Sequence, residues 1–284
     1  MFPTAIEKTS ALTRTAYKTA LPIVVFLWLL PLFAVALTSL RSIDDLNKGN
    51  FWGWPTSINF AQNYGEVFTR SPMAMFLMNS VIITLFAVAG TLVLSCMAGY
   101  ALAKYNFRGN LVLFSIFIAG NFVPFQILMI PVRTIMIDWI PLYDTVWALV
   151  LFHTAFQTGF CTLFMRNFIK QMPDALIEAA RIEGITELKI FWHVVLPLVR
   201  PALAALAVLE FTFIWNDYFW SLVLVQSDSA RPVTAGLQAL KGMWLASWQL
   251  ISAGSLIAAI PPVLIFFLMQ RHFIAGLTLG ATKE

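Results

Sequence analysis

Two carboxylates stand inside an apolar stretch of the chain, the predicted membrane span over residues 201–225. Glu210 lies near its middle, and Asp217 follows about 10 Å further along a helix that rises about 1.5 Å per residue. Ionisable groups in such a segment are candidate functional residues, because placing a charge in lipid is costly. On a continuous helix both carboxylates share one face, and Trp215 and Asn216 flank that face.

These four residues suit a ligand that is rich in hydroxyl groups. Aromatic rings pack against the apolar C–H faces of a sugar, while Asn and Asp side chains bond its hydroxyls. In a second interpretation, Glu210, Trp215, Asn216 and Asp217 satisfy one another or a neighbouring subunit at a helix interface. The pattern alone leaves both interpretations open. Weaker candidates for the same path are Asn121, Gln126, His153 and Gln157.

The sequence contains no pattern typical of a metal site, a disulfide framework or a nucleotide-binding loop. The histidines His153, His193 and His272 are scattered, and no H-E-x-x-H motif occurs. Cys96 and Cys161 lie in separate predicted spans, which argues against a disulfide framework. The sequence has no G-x-x-x-x-G-K-[ST] motif, so any ATP-driven process requires another chain to hydrolyse the nucleotide. We therefore predict no catalytic residue, no metal site and no enzyme activity in this chain.

The elements that position these residues are membrane spans. The 284 residues are 60% hydrophobic, with a mean hydropathy of +0.80. Only 11% of them are charged, which is too few to cover the surface of a soluble domain. Apolar runs of about 20 residues cross a bilayer as helices, and no ten-residue alternation indicates a barrel. The sequence predicts an all-α membrane protein, with a single transmembrane domain over residues 1–284. Its six spans are predicted at residues 20–40, 76–103, 111–131, 143–165, 201–225 and 249–270.

Basic residues predict the orientation of the chain in the membrane. If the N-terminus is cytoplasmic, 12 of the 18 Lys and Arg residues fall on the cytoplasmic side. We therefore expect both termini to be cytoplasmic. The net charge of +4 follows from this topology and requires no nucleic-acid partner. The first apolar run exceeds the roughly 7–15 residues of a signal-peptide core, which favours an uncleaved span.

One sizeable cytoplasmic segment, about residues 166–200, connects the fourth and fifth spans, and it predicts two short helices. Pro173 suits the first turn of one helix, and Gly184 ends that helix as a C-cap glycine would. Thr186 can cap a second helix, which we expect to end at Pro197.

The two predicted helices have both polar and apolar faces. Ala179 and Ala180 on the first are small enough to let another surface approach closely, and Ile190 and Phe191 on the second are apolar. Such helices dock into the groove of a partner or lie on the bilayer surface. The pattern alone does not decide between these two placements.

The stretches EAARIEG (178–184) and LPLVRP (196–201) resemble the EAA coupling loop of permeases from binding-protein-dependent ABC importers. Glu183 departs from the Asp usual in the carbohydrate-uptake branch and keeps the charge. Residues 211–225 and 270–284 are similar to the same branch, in particular to the six-span maltose-type permease subunit. The positions that match the motif in order and spacing are Glu178, Ala179, Ala180, Gly184, Leu196 and Pro197.

This resemblance implies the type I ABC importer permease fold, with a cytoplasmic two-helix coupling loop, in a prokaryotic cytoplasmic (inner) membrane. It implies a heterodimer with a second permease subunit, less often a homodimer, on two ATPase subunits. An extracytoplasmic solute-binding protein would deliver a sugar-like solute, and the ATPases would bind ATP and Mg, so this chain would hold no cofactor. The resemblance implies that the six matching residues couple the ATPases to the spans. It therefore favours docking of the loop into a groove of the ATPase over a position on the bilayer surface. The resemblance also implies that the tail 271–284 touches the ATPases, whereas physical reasoning alone fits a frayed terminus without a function equally well.

The alternative is a secondary transporter or channel subunit that is not driven by ATP. That class favours inverted repeats and ion sites at the bilayer midplane, and the sequence shows neither. We therefore predict an importer permease for a sugar, oligosaccharide, polyol or sugar-derived solute.

Overall fold

The computed structural model describes residues 10–241 and 247–279, with side chains described up to residue 270. Helices make up the regular structure of these residues. The α-helices are α1 (Ala11–Leu40), α2 (Ile43–Asn47), α3 (Phe60–Arg70), α4 (Met73–Lys104), α5 (Asn110–Gly120), α6 (Met129–Thr134), α7 (Val146–Lys170), α8 (Asp174–Ile182), α9 (Glu187–Ile190), α10 (Leu196–Trp215), α11 (Phe219–Leu224), α12 (Val233–Gly236) and α13 (Trp248–Leu279).

The spans agree with the predicted class, an all-α membrane protein with six crossings. Five helical runs in the described residues are long and apolar enough to cross a bilayer: α1, α4, α7, Glu187–Trp215 and Trp248–Gln270. The third predicted span, residues 111–131, is a broken one. Its two parts, Asn110–Gly120 and Phe125–Trp139, are bent by 92° at a short interruption that contains Pro124. Proline fits such a break because it cannot donate a helical hydrogen bond.

The described residues cluster into two compact units. One comprises residues 10–71, 239–241 and 247–257, and the other comprises residues 72–238 and 258–279. Helix α13 contributes residues to both units. The prediction of a single domain over residues 1–284 stays a prediction.

In the first unit, α3 completes the hydrogen bonding at the end of α1. Asn63 of α3 donates to two backbone carbonyls there, each at 2.8 Å, one of them the carbonyl of Arg41. Carbonyls at the C-terminal end of a helix lack N–H partners within the helix, and the side-chain amide of Asn63 supplies the missing donors. The buried Arg41 side chain donates to the carbonyl of Gly53 and so holds the following loop, in which Trp52 and Trp54 remain exposed.

In the second unit, α4 and α7 pack closely along their lengths. A Cβ added at Gly99 would lie 2.9 Å from both the backbone nitrogen of Arg166 and the Cβ of Met165, so only glycine allows this approach. Gly90 similarly faces Thr154. Because the facing positions rise together in sequence, α4 and α7 run parallel. Two helices separated by one crossing must do so, as the predicted topology requires.

A buried apolar cluster joins the loop between α7 and α10 to the long helices. We call residues 171–195 the two-helix loop. The cluster draws on α4, α7, α8, α9 and α10, and its members include Tyr100, Met165, Ile177, Ile190 and Leu206. The inner side of the loop is therefore part of the packed core of the second unit.

The second helix of the loop does not end at Pro197, so that prediction is wrong. Helix α9 continues through a π-helical turn, Phe191–Val195, into α10. One helical run therefore extends from Glu187 to Trp215. Pro197 lies in the first turn of α10, where a missing N–H costs least, and the wider π turn precedes it.

Candidate coupling surface and solute path

The two-helix loop bends at Gly184, as the sequence predicts. Gly184 has a φ of +76°, a left-handed conformation that costs residues with a Cβ about 1–2 kcal/mol. Its N–H donates to the carbonyl of Arg181 at 3.0 Å, and the N–H of Ile185 donates to the carbonyl of Ala180 at 3.1 Å. These two bonds form a Schellman motif, so α8 ends in a fixed reversal of the chain.

Helix α8 has an inner and an outer face. Ile177 and Ala180 are 2% and 8% exposed and belong to the buried cluster. Glu178 and Ala179 are exposed, and Ile182 is 87% exposed. Of the two alanines in the motif, therefore, only Ala179 can meet another protein, while Ala180 packs against the helices of its own chain.

The remaining motif residues lie where the loop turns back. Gly184 is exposed, and Leu196 and Pro197 are half-buried at the start of α10. Thr186 occupies the N-cap position of α9 as predicted, but its side chain makes no capping hydrogen bond. Coupling by the six motif residues stays a prediction.

Side-chain contacts that the sequence pattern does not reveal attach the loop to α4. The ammonium of Lys104 lies 2.6 Å from the carboxylate of Asp174, and this hydrogen bond holds the pKa of Asp174 below its usual range. The carboxylate of Glu187 accepts hydrogen bonds from the hydroxyls of Tyr105 and Tyr100. These partners stand 70 to 87 positions apart in the sequence. The one feature of the sequence that could have indicated these contacts is the Lys104-Tyr105 pair, because it directly follows an apolar run.

Glu210 lies in the packed interior of the second unit. It is 0% exposed, and the thiol of Cys161 donates to one carboxylate oxygen at 3.1 Å. The other oxygen has no hydrogen-bond partner in the described part of the chain. In this conformation, Glu210 therefore cannot touch a solute.

Trp215 and Asn216 have different surroundings at the end of α10. Trp215 is 2% exposed, its indole N–H donates to the carbonyl of Ala258 at 3.0 Å, and its ring stacks on Phe211. Asn216 is exposed and donates to the carbonyl of Thr212 at 2.8 Å. The tryptophan thus serves helix packing here, and the asparagine remains accessible.

Asp217 lies beyond the end of α10, which stops at Trp215. Its carboxylate accepts hydrogen bonds from the backbone N–H groups of Trp220 (3.2 Å) and Ser221 (3.1 Å) and from the Ser221 hydroxyl (3.1 Å). An aspartate that bonds these nearby N–H groups begins a new helix, α11, instead of continuing the old one. The prediction that Glu210 and Asp217 share one helical face is therefore wrong.

His153, one of the weaker candidates for the solute path, lies beside Asp217 in the structure. The Nε2 atom of His153 lies 3.6 Å from Oδ2 of Asp217, and the two side chains are 6% and 12% exposed. Phe152 and Trp220 pack beside them, with ring centroids 3.7 Å apart. The pair is therefore sheltered and joins α7 to the segment that precedes α11.

A second group of candidates lies at the break in the third span. Asn121 is exposed, directly after the end of α5, and donates to the carbonyl of Phe117 at 2.8 Å. It lines a groove of about 330 Å³ together with Leu128 and Phe156. Gln126 follows in the next turn and Gln157 is half-buried on α7. Asn121 and Asn216 are thus more accessible to a solute than Glu210 or Trp215.

Comparison with known proteins identifies close relatives over the whole chain. The family described as the inner membrane component of binding-protein-dependent transport systems matches residues 91–278. The chain is 33% identical to the osmoprotective compounds uptake permease protein GgtD of Synechocystis sp., over 99% of both chains. It is also 33% identical to the arabinooligosaccharides transport system permease protein AraQ of Halalkalibacterium halodurans, over 98% of this chain and 99% of that one.

The fold is also that of a solved structure. A chain of a bacterial ABC transporter involved in the import of the acidic polysaccharide alginate superposes with a TM-score of 0.80 at 24% identity. The match covers 93% of this chain and 99% of the other. The likeness is one of fold, and it agrees with the predicted type I ABC importer permease architecture.

Proposed function

Because the chain belongs to the family of binding-protein-dependent transport system inner membrane components, we propose that it forms half of the translocation path of an ATP-driven importer for a sugar-like solute. The chain is a multi-pass inner membrane protein and a permease subunit. Within the proposal, both termini face the cytoplasm, and the solute is a sugar, oligosaccharide, polyol or sugar-derived compound.

The solute class is supported by relatives and by the side chains that remain accessible. One relative at 33% identity is named for arabinooligosaccharides and another for osmoprotective compounds. Near the end of α10, Asn216 is exposed, and Phe213 and Tyr218 are 61% and 39% exposed. An amide beside aromatic rings can bond the hydroxyls of a sugar and pack against its C–H faces.

The observation that carries the coupling role is the two-faced α8. Its inner face belongs to the buried core, and its outer face exposes Ala179 and Ile182 to a partner. Glu178 and Glu183 are exposed beside them, and these two carboxylates fit a protein groove better than an anionic lipid surface. Docked in an ATPase, the loop would pass the movement of that subunit directly into α7 and α10.

The partners follow from this role. We propose a second permease subunit, two ATPase subunits that bind ATP and Mg, and an extracytoplasmic solute-binding protein. This chain contributes coupling and half of the path, and hydrolysis takes place on the ATPases. The description of the family as binding-protein-dependent supports the last of these partners.

Uptake into proteoliposomes tests the proposed function. The chain is reconstituted with its co-expressed permease and ATPases, and the binding protein is supplied with a labelled arabinooligosaccharide. We expect uptake that requires both ATP and the binding protein. Uptake that proceeds without ATP would instead support a secondary transporter or channel.

Gly184→Pro tests the coupling role in the same vesicles. Proline fixes φ near −65° and lacks the N–H that bonds Arg181, so it cannot form the observed reversal. We expect uptake to be abolished while membrane insertion is unchanged. Gly49→Pro is the matched control, since Gly49 also has a left-handed φ of +77° but lies outside the loop. Normal uptake in Gly184→Pro would remove the coupling assignment.

A further inference from the structure

The carboxylate of Glu187 joins three helices at one point. The hydroxyls of Tyr105 and Tyr100, at the end of α4, donate to Oε2 at 2.5 and 3.2 Å. From the last turn of α8, Nε of Arg181 donates to Oε1 at 2.6 Å. Glu187 is the first residue of α9. Both oxygens of the carboxylate are therefore used to hold α4, α8 and α9 together.

The Arg181–Glu187 pair also spans the hinge at Gly184. The Schellman motif closes the backbone at Gly184, and the Arg181–Glu187 pair adds a side-chain contact across this bend. Hydrogen bonds between charged groups are stronger than neutral ones, so this pair favours one angle between α8 and α9. The two side chains are 39% and 45% exposed, and a lone pair of that kind contributes little. Here the two tyrosines turn the pair into a network.

A second attachment uses the last residue of α4, which directly precedes Tyr105. Lys104, with its side chain 4% exposed, donates to the carbonyl of Met172 and to the carboxylate of Asp174, each at 2.6 Å. These two residues precede and begin α8. The same end of α4 thus binds the start of α8 through Lys104 and the start of α9 through Glu187.

We propose that Glu187 is a positioning residue of the transport cycle, which attaches the two-helix loop to α4 so that α4 moves together with α7 and α10. The inference rests on the function proposed above. Helices α7 and α10 enter and leave the loop, so they follow it through the covalent chain. Helix α4 has no covalent connection to the loop: it packs on α7 along its length, and side-chain contacts attach its C-terminal end to the loop.

The groove beside this network shows why the attachment is needed. Tyr100, Tyr105, Glu187 and Leu188 line an opening of about 400 Å³ between α4 and the second helix of the loop. Beside this opening, Tyr100 packs on Phe191 in the buried cluster, and at its rim the hydrogen bonds of Glu187 bridge the two elements. Without these bonds, only apolar contacts would hold the start of α9 to the end of α4, and the loop could move further before α4 followed.

The double variant Tyr100→Phe/Tyr105→Phe tests the inference, because it removes two hydroxyls and preserves ring packing. The complete transporter is reconstituted, and uptake and ATP hydrolysis are measured in the same vesicles. We expect uptake per ATP hydrolysed to fall about two- to thirtyfold, the usual range for residues that carry coupling, while hydrolysis and ATPase content persist. Glu187→Gln should act in the same direction, and adding it to the double variant should have little further effect.

Two controls separate positioning from general stability. Tyr64→Phe also removes a hydroxyl that bonds a side chain, that of Ser39 at 3.1 Å, but it lies far along the chain from the loop, and its uptake per ATP should be normal. In Tyr105→Cys/Glu187→Cys, a short thiol cross-linker should restore the ratio that the uncross-linked variant loses.

The possible outcomes distinguish this inference from the proposed function. Unchanged uptake per ATP in the double tyrosine variant, or loss of the ATPases from its complex, would overturn the positioning role. A cross-linked variant that stays uncoupled would do the same. If the wild-type transporter showed no ATP-dependent uptake, the proposed function itself would fail.

Discussion

At the scale of single residues, the surroundings of a carboxylate decide its role. Asp217 accepts three hydrogen bonds at the start of α11 and lies near His153. Glu210 stands seven positions earlier, is fully buried and has a thiol as its partner. Both remain proposals for the solute path, but in this conformation Asp217, which directly precedes the N-cap residue Tyr218, uses its carboxylate to bond the first turn of α11.

Replacing Asp217 distinguishes capping from solute contact. Asp217→Ala should lower the free energy of unfolding by about 0.5–2 kcal/mol, the usual cost of losing a cap, while Asp217→Asn keeps an acceptor and should lose less. Thermal unfolding in detergent measures this difference. Asp228→Ala, an aspartate that is largely exposed, is the control. If Asp217→Ala instead left stability unchanged and altered apparent solute affinity, Asp217 would belong to the path.

At the scale of elements, contacts between helices depend on small residues at particular positions. Gly99 allows α4 and α7 to touch, and this contact positions the end of α4 that holds the two-helix loop. Gly65 of α3 is also helical, but nothing lies within 4 Å of the Cβ it would carry. The two glycines therefore form a matched pair.

Alanine at these two positions should have opposite effects. Gly99→Ala forces a methyl group against the backbone of Arg166, which typically costs about 1–3 kcal/mol. Gly65→Ala should stabilise α3 by about 0.5–1 kcal/mol, because alanine is the better helix former. Melting temperatures of the purified complex measure both. An equal effect of the two substitutions would contradict the close packing of α4 on α7.

The sequence predicts most strongly those features whose cause is local. The bend at Gly184 follows from a glycine at a helix end, and the structure confirms it. The end of α10 depends on where Asp217 finds its hydrogen bonds, which a hydrophobic run does not reveal. The contact of Tyr100 with Glu187 joins positions 87 residues apart and depends on how α4 packs. Spans and hinge were thus predictable, whereas the path and the attachment to α4 were not.

At the scale of the whole molecule, the exposed face of the two-helix loop is the proposed docking surface for the ATPase. Neighbouring alanines of the motif point to opposite sides there. Ala179 lies on the surface, and Ala180 is 8% exposed and belongs to the buried cluster. A substitution at Ala179 therefore tests contact with the partner, and a substitution at Ala180 tests packing inside this chain.

Site-directed cross-linking exploits this difference. Ala179→Cys should form cross-links to a co-expressed ATPase that carries cysteines around its proposed docking groove. Ala180→Cys should form few, because its side chain faces its own helices. Cross-linked products on a denaturing gel provide the measurement. Failure of Ala179→Cys to cross-link in complexes that still transport would count against docking through this face.

The broken third span affects how the protein is made. Residues 110–120 and 125–139 rise about 17 and 22 Å as helices, so neither part alone crosses the roughly 30 Å of hydrocarbon. Between them, regular helical bonding stops, and lipid cannot satisfy the backbone groups left over. A newly inserted copy therefore carries a polar seam inside the bilayer until protein or water covers it. An orphan copy is expected to be a target for membrane proteases, so that the supply of partner subunits sets its lifetime in the cell.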